Sequence, residues 1–127
     1  MNFANYIFGP QLIGIIMYLI GSMMQKFPPK KINSWYGYRT ESSMKNQQTW
    51  DEATSYSAKI MTVAGMILII AGIAFTIAIN YLIADRRIVE GLTAGITIIS
   101  GIIPGVITIA KTESHLDRTF NSKNEIR

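Results

Sequence analysis

Residues 60–83 read IMTVAGMILIIAGIAFTIAINYLI, an uninterrupted stretch without a charged side chain. A helix rises about 1.5 Å per residue, so a run of this length covers the ~30 Å hydrocarbon layer of a bilayer. The core helix of a soluble domain would show a polar face, and this stretch shows none. Two further runs, 6–24 and 91–110, are likewise free of charge. The predicted fold is therefore an all-α membrane protein: three transmembrane helices joined by a long loop (25–59) and a short turn, followed by a tail (111–127). Composition agrees, because only 16% of the 127 residues are charged and 49% are hydrophobic, against about 25% charged in soluble domains. A chain of this size leaves no room for a separate catalytic domain, and residues 1–127 are read as a single integral membrane domain.

Charge placement gives the expected orientation, because basic flanks stay in the cytoplasm. The first loop carries Lys26, Lys30, Lys31, Arg39, Lys45 and Lys59, and the tail carries Lys111, Arg118, Lys123 and Arg127. The second connection has Arg86 and Arg87, nearly neutralised by Asp85 and Glu90. The N-terminus is thus expected outside and the C-terminus inside, with multi-pass insertion in the bacterial cytoplasmic membrane. The first run is expected to be retained, since its basic residues follow the apolar stretch and a signal peptide carries them before it. The net charge of +4 sits beside apolar spans, which points to anionic lipid headgroups and away from nucleic acid.

Several chemistries are excluded at this level. With no cysteine, disulfides, thiol catalysis and cysteine-ligated metals are out. A solitary His115 cannot assemble a zinc centre, and no cofactor is expected. Gln11, Asn80 and scattered Ser and Thr are the polar groups of the spans; intramembrane ionisable groups, the usual mark of proton or ion pathways, are missing. Asp51 and Glu52 are neighbours that point in different directions on a helix, a poor acid–base pair.

Small residues suggest how the helices meet. Gly14, Gly21, Gly65, Ala71 and Gly72 punctuate the first two runs, and Gly91-x-x-x-Gly95 and Gly101-x-x-x-Gly105 the third. Such spacing lets helices approach closely. Packing within one three-helix bundle is the favoured reading, and a seam between two copies is the alternative. Pro104 is expected to kink the third helix.

The loop changes composition to prolines, aromatics, amides and charges. Phe27-Pro28-Pro29 ends the first helix and holds the chain extended. Trp35, Tyr36 and Tyr38 favour the membrane interface, so the loop is expected to lie along the surface. Gly37 permits a left-handed turn. Ser42, Ser43 and Asn46 are candidate caps for a helix starting near there, and Thr49-x-x-Glu52 is a candidate capping box. Trp50, Ala53, Ser57, Ile60 and Ala64 fall at helical spacing, which favours one continuous helix running into the second span. Asp51 or Glu52 would then come within reach of Arg39, whose planar fork suits a carboxylate. In the tail, Leu116 and Phe120 lie four apart and would share the face of a short amphipathic helix, resting on lipid or a partner; from about Asn121 the chain is expected to fray.

The stretch Asn33-Ser-Trp-Tyr-Gly37-Tyr38-Arg39-Thr40, followed by Ser43 and by Trp50 with Ala53, resembles the signature loop of the SdpI/YfhL family of small bacterial membrane proteins. The proline-bearing third helix and its continuation through Thr112, Glu113 and Leu116 to Phe120 look like that family's end. The chain is similar to the short, three-helix form, without the extra helices of the longer namesake. The resemblance implies immunity. The namesake protects its producer from a secreted antimicrobial peptide and is implicated in holding a transcriptional repressor at the membrane. Carried over by resemblance are Asn33, Gly37, Tyr38, Arg39, Thr40, Ser43, Trp50 and Glu113. An Arg39–Glu113 pair is expected to tie loop to tail.

The expected function is a non-enzymatic immunity or interaction protein whose partners are the bilayer, a peptide toxin and a cytoplasmic regulator. A small oligomeric transporter, or an accessory subunit of a membrane complex, is the alternative. A lipid-processing enzyme with Arg39 on phosphate and Asp51 or Glu113 as base is the least supported reading, for want of a nucleophile or a phosphate-cradling loop.

Overall fold

The computed structural model describes residues 3–121. The expected fraying beyond Asn121 and the tail cations Lys123 and Arg127 lie outside the described residues. The chain is all-helical: α1 (Ala4–Ile7), α2 (Pro10–Lys26), α3 (Gln47–Leu82) and α4 (Arg86–Leu116), the last running into a π-helical turn (Asp117–Asn121). No strand is present among the described residues.

Helices α3 and α4 are long and apolar enough to cross a membrane, with mean hydropathy 2.5 and 2.0 over their most apolar stretches. Only 17% and 6% of those stretches are buried inside the protein. A soluble core helix would be mostly covered. Here Ile67, Ile70, Ile98, Ile102 and Val106 stand exposed, at a cost in water of roughly 1.5–3 kcal/mol for each side chain that could be buried and is not. A hydrocarbon solvent removes that cost.

The first apolar run is not one helix from residue 6. It breaks at Phe8 and Gly9, and α2 begins with Pro10 at its first position, where a missing N–H costs nothing. Its 17 residues span about 25 Å. The helix lies antiparallel along α3, and glycines set the distance. A Cβ placed on Gly65 would stand 2.5 Å from the Tyr18 backbone nitrogen, and one on Gly14 would stand 2.7 Å from that of Ile69. Backbone therefore meets backbone, which is how apolar helices gain dispersion contact where water supplies no drive. Gln11 is buried in this seam; its amide donates to the Tyr6 carbonyl at 2.7 Å, and its oxygen accepts from Thr76 Oγ1 at 3.4 Å.

Helix α3 is continuous from the loop through the apolar run, as the stripe predicts: Trp50, Ala53 and Ser57 are fully buried. Its cap is Asn46, whose side chain accepts from Thr49 N while Thr49 Oγ1 accepts from Asn46 N. The capping box is thus Asn46 with Thr49, one turn earlier than Thr49 with Glu52. Helix α4 is capped by Asp85, which accepts from Arg87 N at 2.9 Å, and it runs through Pro104 as one helix.

The glycines of α4 behave differently from those of α2 and α3. A Cβ on Gly91, Gly95, Gly101 or Gly105 would meet nothing within 4 Å. Packing within the chain, the favoured reading of that spacing, is therefore not what these glycines do. The buried positions of α4 are Val89, Thr108, Thr112 and Leu116.

Candidate functional site

The end of the molecule where α2 stops, α3 starts and α4 finishes is organised by the loop. Phe27 closes α2 by donating its N–H to the Met23 carbonyl, and Pro28 and Pro29 then forbid further helix. The Pro29 carbonyl accepts from Trp50 Nε1 at 2.8 Å. That bond satisfies the one polar atom of a side chain with no exposed surface. Asn33 folds the next residues: its Oδ1 accepts from Trp35 N at 2.9 Å and Tyr36 N at 2.7 Å, and its Nδ2 donates to the Lys31 carbonyl, an Asx turn. Tyr36 Oη donates back to the Phe27 carbonyl at 2.9 Å.

Gly37 sits at φ +118, a conformation costly for other residues. A Cβ there would stand 2.8 Å from Trp50 Cζ2 and 2.9 Å from Pro29 Cγ. Glycine is required twice over, for the backbone and for the indole beneath it. Past this turn the side chains alternate. Tyr38 and Thr40 point at α4, and Arg39 between them points to solvent, as successive residues of an extended stretch do.

Both inward hydroxyls reach the same atom. Tyr38 Oη donates to Glu113 Oε1 at 2.8 Å and Thr40 Oγ1 donates to it at 2.7 Å. Ser43, fully buried, braces the extended stretch behind them: its Oγ accepts from Thr40 N at 2.9 Å and donates to the Tyr38 carbonyl at 2.8 Å. Thr49 Oγ1 then donates to the Ser43 carbonyl at 3.0 Å, tying the brace to the start of α3. Tyr38, Ala53 and Leu116 form a small apolar cluster with Phe120 packed against it. The shared face of Leu116 and Phe120 thus rests on loop and α3, as a continuation of α4 and not a separate surface helix.

Glu113 lies past the apolar stretch of α4, which ends at Ala110. Burial alone would raise its carboxyl, but hydroxyls of Thr40, Ser42 and Tyr38 and the nearby Lys45 charge outweigh that and hold it below its usual value. The same closeness acts in reverse on Tyr38, whose hydroxyl is pushed well above its ordinary value by burial first and by Glu113 second. Glu113 is therefore a charged acceptor, held by two hydroxyls on one oxygen, and a weak base.

The predicted ion pair with Arg39 does not form. The Arg39 guanidinium donates to the Ser34 carbonyl, its side chain is exposed, and Glu113 is taken by the residues on either side of it. Asp51 and Glu52 do not meet Arg39 either. Asp51 accepts from Gln47 Nε2 at 2.8 Å, and Glu52 Oε1 lies 2.7 Å from His115 Nε2. The His115 ring stacks on Tyr56 with centroids 4.0 Å apart and planes 2° from parallel. This second tie between α3 and α4 has no signal in the sequence beyond Glu52 and Tyr56 falling one helical turn apart. Trp35 is 90% exposed; it stands clear of the protein, whereas Tyr38 is buried in it. Beside Glu113 opens a cavity of about 750 Å³ whose lining includes Ser42, Lys45, Thr49 and Asp117. No group of three His, Asp or Glu side chains that could hold a metal exists among the described residues.

A helical membrane protein with a loop latched across the ends of its long helices is the class these features define. Residues 30–112 match the SdpI/YfhL protein family model, more than half of the chain, with Asn33, Gly37, Tyr38, Arg39, Thr40, Ser43 and Trp50 inside the match and Glu113 directly after it. The chain belongs to the SdpI/YfhL family. It is 46% identical over 70 residues to the uncharacterized protein YfhL of Bacillus subtilis (strain 168), an overlap covering 55% of this chain and 62% of that relative's length. No solved structure matches the chain significantly.

Proposed function

We propose that this protein is a non-enzymatic immunity protein of the bacterial cytoplasmic membrane, which protects the cell from a secreted antimicrobial peptide through the surface of its latched loop. One observation carries the reading. The Glu113 node fixes Tyr38 and Thr40 inward, so Arg39 and the 90% exposed Trp35 are held outward at the latch end of the bundle. An aromatic ring and a guanidinium so displayed are the side chains that dominate recognition surfaces. Glu113, charged and bonded by both hydroxyls, serves this surface by holding the loop in place. Holding a cytoplasmic regulator would use the same face.

Three spans with the N-terminus outside and the C-terminus inside fit the arrangement. Helix α2 lies beside the apolar length of α3, from Gly21 near Thr62 to Gln11 near Gly72, and so shares its depth. Lys26, Lys30, Lys31, Lys45, Lys59 and Lys111 belong to the latch end. At the opposite end Arg86 is paired with Glu90 at 3.2 Å. Cations gathered at one end support that end as the cytoplasmic one.

A second reading, a small oligomeric transporter or a subunit of one, is favoured by the uncovered glycines of α4. Survival separates the two. A sensitive bacterium expressing the chain is challenged with a panel of secreted antimicrobial peptides, beside Trp35→Ala and Arg39→Ala variants matched for membrane level. Protection that falls in both variants supports immunity through the loop. Absence of protection against every peptide, with correct insertion, overturns it in favour of transport, which solute flux in reconstituted vesicles then measures.

A further inference from the structure

Residues of α3 and α4 line an apolar groove of about 450 Å³. Its lining includes Ala64 and Leu68 of α3 and Pro104 and Ile107 of α4, with Lys59 and Lys111 at the latch end. The antiparallel helices bring these two lysines to the same depth: they lie 25 and 27 positions either side of Ala84, in the turn between α3 and α4. No acidic residue lines the groove, and neither ammonium meets a carboxylate among the described residues. The cavity beside Glu113 contains the carboxylates of Glu113 and Asp117, and the one at the end of α2, which Lys59 also lines, contains Asp51; the one lined by Trp35 to Thr40 has no carboxylate but a single cation, Arg39, whose guanidinium donates to the Ser34 carbonyl.

An apolar slot about 13 Å long, from Leu68 to Lys59 at 1.5 Å per residue, with two cations at its latch end that form no ion pair among the described residues, has the polarity of one kind of molecule. We propose that the groove holds one acyl chain of an anionic phospholipid, with the headgroup phosphate between the Lys59 and Lys111 ammonium groups. A bare phosphate would leave the apolar walls uncovered. A zwitterionic lipid would bring its own cation against the lysines. A second copy of this chain would have to present an anion beside an apolar ridge, and the exposed stretch of α4 is uncharged from 91 to 110. The inference needs the helices to sit in a membrane, and it is independent of the immunity reading.

The test is native mass spectrometry of the full chain released from detergent micelles containing either phosphatidylglycerol or phosphatidylcholine of identical acyl chains. One retained phosphatidylglycerol per chain is expected, with retention of phosphatidylcholine about tenfold lower. Lys59→Gln with Lys111→Gln should abolish the preference, and Lys30→Gln with Lys31→Gln, which removes equal charge at the same end, should leave it. Ala64→Phe fills the slot and should reduce lipid retention with both lysines in place, so the two lines of evidence do not depend on one variant folding. Equal loss in both lysine pairs would reduce the effect to general attraction at the interface and overturn the site. So would displacement by millimolar inorganic phosphate, a dimer mass without lipid, or equal retention of the two lipids.

Discussion

Tyr38 Oη and Glu113 Oε1 stand 2.8 Å apart although 75 positions separate them, and this contact fastens the loop after α2 to the end of α4. Thr40 doubles it on the same oxygen. A hydrogen bond to a charged acceptor contributes about 1.5–3 kcal/mol net. Tyr38→Phe should therefore destabilise the folded chain by about that amount, and a double-mutant cycle with Glu113→Gln should give a coupling of about 1 kcal/mol or more. The same cycle with Arg39→Ala should be additive within about 0.5 kcal/mol. Denaturant unfolding in micelles measures both, and coupling at Arg39 without coupling at Tyr38 would replace this latch by the ion pair.

Acid should open the latch. The Glu113 carboxyl is held below its ordinary value in the fold, so its stabilisation is fully present above the unfolded value, about 4.3, and disappears as pH falls through the folded value. Tyr38 works from the other side. Its hydroxyl is raised in the fold, so its contribution is present below about 10 and declines as pH rises further. In a Trp35→Phe background, the buried Trp50 becomes the fluorescent reporter. Its emission should shift to the red at the acid end, and Glu113→Gln should remove that transition. Tyr38→Phe should remove the alkaline one.

Gly37→Ala tests the turn that places the latch. The substitution puts a Cβ into a φ of +118 and within 2.8 Å of the Trp50 ring. Backbone strain of this kind costs about 1–3 kcal/mol, and the indole must also move. Loss of near-ultraviolet Trp dichroism with unchanged helix content is the expected result. A fully native spectrum would mean that the loop has another way to cross the indole.

How far the sequence discloses this site depends on which physical relation each residue enters. The continuity of α3 is legible, because Trp50, Ala53 and Ser57 repeat at helical spacing and Asn46 is a residue type that caps. The need for Gly37 is legible as a turn, though its contact with Trp50 is not. Tyr38 beside Trp35 and Tyr36 looks like one more interfacial ring, and only the loop's alternation separates the buried tyrosine from the exposed tryptophan. For the same reason charge complementarity pairs Arg39 with Glu113, whereas the fold hands that carboxylate to the two uncharged neighbours. His115 is uninformative alone; it gains meaning from Glu52 and Tyr56 once α3 and α4 are side by side. The glycines of α4 carry the same spacing as packed ones, and spacing cannot say whether another helix is present.

That last difference yields a paired test. Gly65→Ala forces a methyl carbon to 2.5 Å from the Tyr18 backbone nitrogen, so α2 must move away from α3. Overpacking of this kind costs about 1–3 kcal/mol. Gly95→Ala meets open space and exchanges glycine for the best helix former, a gain of about 0.5–1 kcal/mol. Unfolding midpoints in micelles at low protein concentration should therefore move in opposite directions for two chemically identical substitutions. Gel filtration across a hundredfold concentration range gives the second arm. If Gly95→Ala lowers the midpoint and shifts the elution toward a smaller species, the uncovered face of α4 is occupied by another chain. If stability rises and elution stays fixed, that face meets lipid and the glycines of α4 are free of any packing duty.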